Sequence, residues 1–397
     1  METERKTNYG IEFLRILAVF FVLIMHILGI GGALGHSSGV TNHVYYSLEI
    51  IAYCAVDLFA LITGFVNINV KWKSKRYIRI WTCVVWFCVV LFLVVQFIPQ
   101  VIVGYNTILA KFLPVSTEFT QYPFTGNEYL DSIFCIGSKQ YWYVNMYTLL
   151  FVFIPILNAG INKLSKRSTL FVCIGAILLT SVYKTIVDRD LFIVSGGYTA
   201  MWLIIMYVTG ACVRKYYDDG FRPKKYLLVI GIIVSNAIMI AWKIVTSELY
   251  KTYTDSTFLK DKRTLLVSYV SPFTVISAVL LLMLFMQFNV KNEKFGKIVK
   301  IFSGSAFGIY IIHVHTGIWE YYMTKRFVLY SDLHPAVGVL VILLTAVILF
   351  LTCGILEYIR QLIFKYTRFN KLIDFIGDKI DSFIMKEKPK KETEVQS

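Results

Sequence analysis

Ten runs of predominantly apolar residues punctuate this chain, at 11–33, 44–66, 77–98, 141–159, 168–187, 198–213, 226–245, 265–289, 301–320 and 336–358. Helical runs of about 20 residues match the roughly 30 Å hydrocarbon core of a bilayer; the sixth run is the shortest. Lipid offers no hydrogen bonds to a bare backbone, so a spanning segment must be a helix or a strand of a closed barrel. None of the runs shows the strict alternation of barrel strands. Composition agrees, since only 16% of the 397 residues are charged and 57% are hydrophobic, whereas about a quarter of a soluble domain is charged. The expected fold class is therefore all-α, a polytopic membrane helix bundle of about ten transmembrane helices. It fills residues 1–385, with a basic, disordered tail at 386–397 lying near anionic lipid.

A net charge of +15 would also suit a nucleic-acid binder, but its placement argues otherwise. Of the 40 Lys and Arg residues, 28 lie in segments 1–10, 67–79, 159–168, 214–225, 290–300 and 359–397, and 11 in the alternate segments. That asymmetry puts both termini in the cytoplasm and assigns the charge to membrane topology, with membrane lipid and no nucleic acid as partner. The seven Cys residues are scattered, with no C-x-x-C pair. Neither a secreted disulfide scaffold nor a structural metal site is expected.

Ionisable side chains inside spans are costly and usually face a cavity or a partner. Among those within the runs are Glu12, Arg15, His26, Glu49, Asp57, His313 and His315. Arg15 and His26 are eleven residues apart, which returns them to within about 20° of one helix face, about 16 Å apart along the axis. Glu12 lies one turn before Arg15 and can pair with it. One stripe thus carries a phosphate-binding fork near the cytoplasm and an imidazole able to accept a hydroxyl proton nearer the outside. The plainer readings are a snorkelling Arg15 and a His26 bonded to a neighbouring helix.

In KWKSKRYIRIW, Lys71 to Trp81, Arg76 and Arg79 share a face. They are either topogenic charge beside an interfacial Trp or a docking site for an anionic cytosolic ligand. Asp57 needs a partner, and Arg15, Arg76 or Arg79 are the candidates. Thr63 and Gly64 permit close helix approach. His313 and His315 are two apart and point to different sides, which argues against a shared metal. Trp142, between Tyr141 and Tyr143, opens the fourth span on the side where His26 lies, and aromatic faces are suited to holding sugars. The long loop 99–140, with Glu118, Tyr122, Asn127, Glu128, Tyr129 and Asp131, is expected to cover a pocket.

These segments together resemble the acyltransferase 3 family of integral-membrane acyltransferases. GIEFLRILAVFFVLIMHI is similar to its opening helix, with Arg15 and His26 at the Arg-x10-His spacing. VDLFALITGF is similar to its Asp-Leu-Phe…Ser-Gly-Phe segment, with Thr63 for Ser. RYIRIW, YWYVNMYTLLFVFIP and FGIYIIHVH resemble three further segments in the family's order. The resemblance implies an O-acetyltransferase of polysaccharide type in a bacterial cytoplasmic membrane. It would use acetyl-CoA or another acyl-CoA as donor substrate, bind no permanent cofactor, and act on a hydroxyl of an extracytoplasmic or lipid-linked glycan. It implies His26 as the catalytic base or acyl-handling group, and Arg15, Arg76 and Arg79 as the donor-binding residues on the CoA phosphates or pantetheine side. Glu12, Asp57, Trp142 and His313 would support them or face the substrate, with no metal. No soluble hydrolase-like or racemase-like domain follows, so the stand-alone form is expected. The competing readings are an exporter using the same Arg/His path and a scaffold whose charges only set packing. Nothing in the sequence specifies an oligomeric state.

Overall fold

The computed structural model describes residues 7–116, 130, 137, 141–288 and 292–384. The tail at 386–397 and the part of loop 99–140 that carries Glu118, Tyr122, Asn127, Glu128, Tyr129 and Asp131 lie outside them. Among the described residues every regular element is a helix. In chain order the principal ones are α1 (Tyr9–Leu28), α2 (Gly39–Ala52), α3 (Ala55–Asn67), α4 (Ser74–Phe97), α5 (Gln100–Leu109) and α6 (Trp142–Lys163). There follow α7 (Lys166–Ile177), α8 (Ala200–Asp218), α9 (Lys225–Thr252), α10 (Pro272–Phe285), α11 (Glu293–His313), α12 (Pro335–Tyr366) and α13 (Phe369–Ile384).

Each of the ten apolar runs contains a helix. Eight spans among the described residues are long and apolar enough to cross a membrane, with α2 and α3 counted as one and α7 extended to Val187. The other two are α8, whose length is largely buried by neighbouring helices, and α10. At 14 residues, α10 reaches about 21 Å, short of a full crossing. The second run departs from the single helix expected: at Tyr53 the hydrogen bond tightens to Ile50 O, and α3 restarts after Cys54.

Local chemistry explains the boundaries that matter. Asn8 caps α1 by accepting the Ile11 N–H at 3.2 Å, and its own amide donates to Met286 O, so α1 starts locked to the end of α10. Pro155 sits inside α6 and lacks the N–H that would serve the Phe151 carbonyl one turn back. The indole of Trp72 donates to that carbonyl at 3.3 Å, which keeps the helix continuous and ties it to the segment before α4. Gly64 and Gly210 let α3 and α8 meet backbone to backbone. A Cβ on Gly64 would lie 1.9 Å from Tyr207 O, and one on Gly210 2.0 Å from Leu61 O.

Two apolar clusters result. One gathers α4, α5, α11 and α12, the other α3, α6, α8 and α10, and α1 contributes to both. The amphipathic α13 folds back against α4: Asp381 accepts the Ser74 N–H, Asp378 pairs with Lys75 and Asp374 with Arg79. Replacing Gly64 with Ala should lower stability by about 1–3 kcal/mol through overpacking. Gly104→Ala, which meets open space, should not, and thermal unfolding of the purified protein in detergent compares the two.

Candidate active site

Between the two clusters lies a cavity of about 670 Å³, lined by side chains from α1, α3, α4, α6, α11 and α12. Arg15 and His26 both line it, as their common helix face predicts. Its wall also carries Arg76, Arg79, Thr63 and Trp142.

The imidazole of His26 is held by a defined chain of hydrogen bonds. His313 closes α11 and is 1% exposed. Its Nδ1 lies 2.7 Å from Ile309 O, and a carbonyl only accepts, so in the neutral ring Nδ1 carries the proton and Nε2 the lone pair. That Nε2 is 2.9 Å from His26 Nδ1, which therefore donates. His26 Nε2 is left with its lone pair free, a tautomer assigned from the network. The edge of Trp319, 4.8 Å away between ring centroids, fixes the ring plane. Trp319 opens a π-turn, Trp319–Met323, just beyond α11. His315 is buried too, but its Nδ1 accepts the Gly317 N–H in a local cap, so His313 is the histidine that meets His26.

At one end the cavity is strongly basic. Arg15, Lys73, Arg76, Arg79 and Arg360 line it. Three of these have carboxylate partners. Arg15 pairs with Glu12 at 2.5 Å, and Glu12 also accepts from Ser303. Arg79 pairs with Asp374 on α13 at 2.6 Å, and Arg360 grips the buried Glu357 with two donors at 2.7 and 2.6 Å. Arg76 reaches only the neutral Asn67 Oδ1, at 3.4 Å. Among the described residues neither Arg76 nor Lys73 has a carboxylate within ion-pair distance. These two leave uncompensated positive charge at the mouth, where an anion would be drawn. Tyr147, on α6, lies within electrostatic reach of Arg15 and Arg76, so the two arginines converge on one stretch of wall.

The rest of the wall is aromatic. Trp142 lies 4.5 Å from Tyr198 and 6.3 Å from Tyr269, ring to ring, and all three line the cavity. Tyr143 and Tyr310 line it as well, and their hydroxyls are buried with no hydrogen-bond partner among the described residues. Asp57 corrects the sequence reading. It is fully buried, and instead of an arginine its Oδ1 accepts from Trp202 Nε1 at 2.8 Å. Its place in the first turn of α3 puts the carboxylate by the positive end of the helix dipole, which favours negative charge there. Asp57 and Glu12 are not themselves in the cavity wall.

A family model described as an acyltransferase domain, that of the acyltransferase 3 family, matches residues 8–356. This chain belongs to the acyltransferase 3 family. Comparison with curated proteins and with solved structures returns no match. The matched range of this membrane acyltransferase includes His26, all the arginines of the mouth except Arg360, and the three aromatic residues.

Lys73, Glu357 and Arg360 escaped the sequence reading as site residues because charges next to a span boundary look topogenic. Glu357, inside the tenth run and one turn before Arg360, was the signal available. Tyr198, Tyr269 and Trp319 had none, since only tertiary packing gathers them. Trp202→Phe, which strands the Asp57 carboxylate, should destabilise the acyltransferase by about 1–3 kcal/mol. Asp57→Asn retains an acceptor for the indole and should cost less; the order of unfolding midpoints decides between them.

Proposed function

We propose that this acyltransferase moves an acetyl or similar small acyl group from cytosolic acyl-CoA to a hydroxyl of an extracytoplasmic or lipid-linked glycan in the cell membrane. The observation that carries this reading is the single cavity containing a free-charged mouth at Arg76 and Lys73, the lone pair of His26 Nε2, and the Trp142–Tyr198–Tyr269 group. The excess of basic residues around the mouth favours a cytoplasmic position for it. The phosphates of the donor would sit on Arg76 and Lys73, with Arg15 and Arg79 adding charge, and the thioester would reach toward His26.

His26 Nε2 takes the proton of the acceptor hydroxyl as its oxygen attacks the thioester carbonyl carbon. The C–O bond forms, the C–S bond breaks, and the sulfur leaves with its electron pair and recovers the proton from His26. His313 supports the transient imidazolium by accepting from His26 Nδ1. The Tyr143 and Tyr310 hydroxyls, unpartnered among the described residues, are donors suited to the oxyanion of the tetrahedral intermediate. The aromatic faces hold the sugar ring, with polar tips for its hydroxyls.

The test supplies labelled acetyl-CoA and a polysaccharide acceptor to the purified protein in detergent. Label should reach glycan hydroxyls with wild type and fail to do so with His26→Ala; full transfer by that variant would contradict the assignment. Arg76→Ala should raise the KM for acyl-CoA more than Arg79→Ala does, because Arg79 is already paired with Asp374. Tyr143→Phe should lower kcat on the order of 10²-fold with KM little changed, read from steady-state kinetics. Glycan movement through a reconstituted bilayer with acyl-CoA untouched would support the exporter instead.

A further inference from the structure

Lys243 marks a second polar site. The apolar run 226–245 places it at the edge of a loop, but α9 continues to Thr252 and Lys243 is buried within it, 4% exposed. A buried ammonium in a membrane helix is expensive unless paired. Its Nζ stands 4.0 Å from the centroid of the Tyr46 ring. Among the described residues it has no hydrogen-bond acceptor and no carboxylate within ion-pair distance. Glu49 and Arg263 act on it electrostatically from further off. Arg263 itself lies against Tyr250, 4.2 Å from that ring, with one weak bond to Lys260 O.

Glu248 is already occupied by His43 and Lys251, and Asp188 by Lys262. Glu49 is the carboxylate that acts on Lys243, and among the described residues neither Lys243 nor Arg263 forms an ion pair. Residues 46 and 49 share one face of α2, and Tyr53, which caps its C-terminal end, follows on that side. Tyr53, at the end of this strip, lies 5.1 Å ring to ring from Tyr269, which lines the reaction cavity. The strip spans about 10 Å.

We propose that Lys243 and Arg263 form a subsite for an acidic group, a carboxylate or a phosphate, carried by the acceptor beyond the aromatic end of the cavity, past Tyr53. Calling its ligand the acceptor rests on the acyltransfer reading; anion binding by the site does not. The ammonium supplies three donors and the guanidinium a fork. Tyr46 and Tyr53 offer faces for the intervening sugar, and Glu49 accepts from its hydroxyls. A neutral glycan would leave the buried ammonium unsatisfied, so the site selects charged acceptors over uncharged ones.

The test is equilibrium binding to the purified full-length protein in detergent, by calorimetry, with two probe pairs. One pair is an oligogalacturonate and its methyl ester; the other is a glycerol phosphate oligomer and uncharged oligoglycerol. At least one acidic probe should bind tenfold or more tightly than its neutral counterpart, and which pair shows the effect identifies the acidic group. Lys243→Met, of similar length, and Arg263→Gln should bring that ratio close to one while leaving the affinity of the neutral probe unchanged. Lys243→Arg should restore the preference, and His26→Ala should keep it. Equal binding within both pairs, no binding by either acidic probe, or a preference that survives both substitutions would overturn the proposal.

Labelled-acyl transfer by the same preparations separates the two claims. Transfer with no charge preference rejects the subsite alone. A preference with no transfer rejects the acyltransfer reading alone.

Discussion

A carboxylate or an open carbonyl inside a bilayer has no water to turn to, and four such groups in the bundle are each met by a donor. Trp202 serves Asp57, Arg15 and Ser303 serve Glu12, Arg360 serves Glu357, and Trp72 serves the carbonyl that Pro155 leaves open. Trp202 and Ser303 come from a different helix and Trp72 from the segment before α4, so these contacts also set helix positions. Against that background the unmatched groups stand out. They include the charges of Arg76 and Lys73, the free face of His26 and the hydroxyls of Tyr143 and Tyr310, all in one cavity, together with Lys243 beyond it.

The cavity exists because the helices on either side are held differently. The α3–α8 contact is close enough for glycine backbones to touch, whereas α1 stands between two apolar clusters and belongs to both. Its polar stripe is therefore presented to the gap and not to lipid. The His26–His313 hydrogen bond then joins α1 to α11 across that gap and orients the imidazole. Packing sets the space, and the hydrogen-bond chain sets which nitrogen is free to act.

What could be read from the sequence follows from where the relevant geometry is encoded. Helical spacing within one segment placed Arg15, His26 and Glu12 correctly, because 3.6 residues per turn is a local property. The apolar runs located the helices for the same reason, and Thr63–Gly64 signalled close approach. The partner of Asp57 was not legible, since Trp202 is 145 residues away and an indole donor carries no charge to suggest it. The break at Tyr53 and the burial of Lys243 were missed for a related reason: a run of apolar residues does not show where its helix stops or bends. The pairing of Arg79 with Asp374 depends on α13 folding back, which charge counting reads only as a basic segment.

In the proposed function, donor and acceptor meet at His26 from opposite ends of one path through the membrane. Sealed vesicles with the protein in one known orientation test it most directly. Labelled acetyl-CoA is supplied only on the face bearing the Arg76 mouth, and a glycan acceptor only on the other. The account predicts label on the glycan across an intact membrane, absent when donor and acceptor faces are exchanged. Label appearing only when both substrates share a face, or equally in both arrangements, would contradict it.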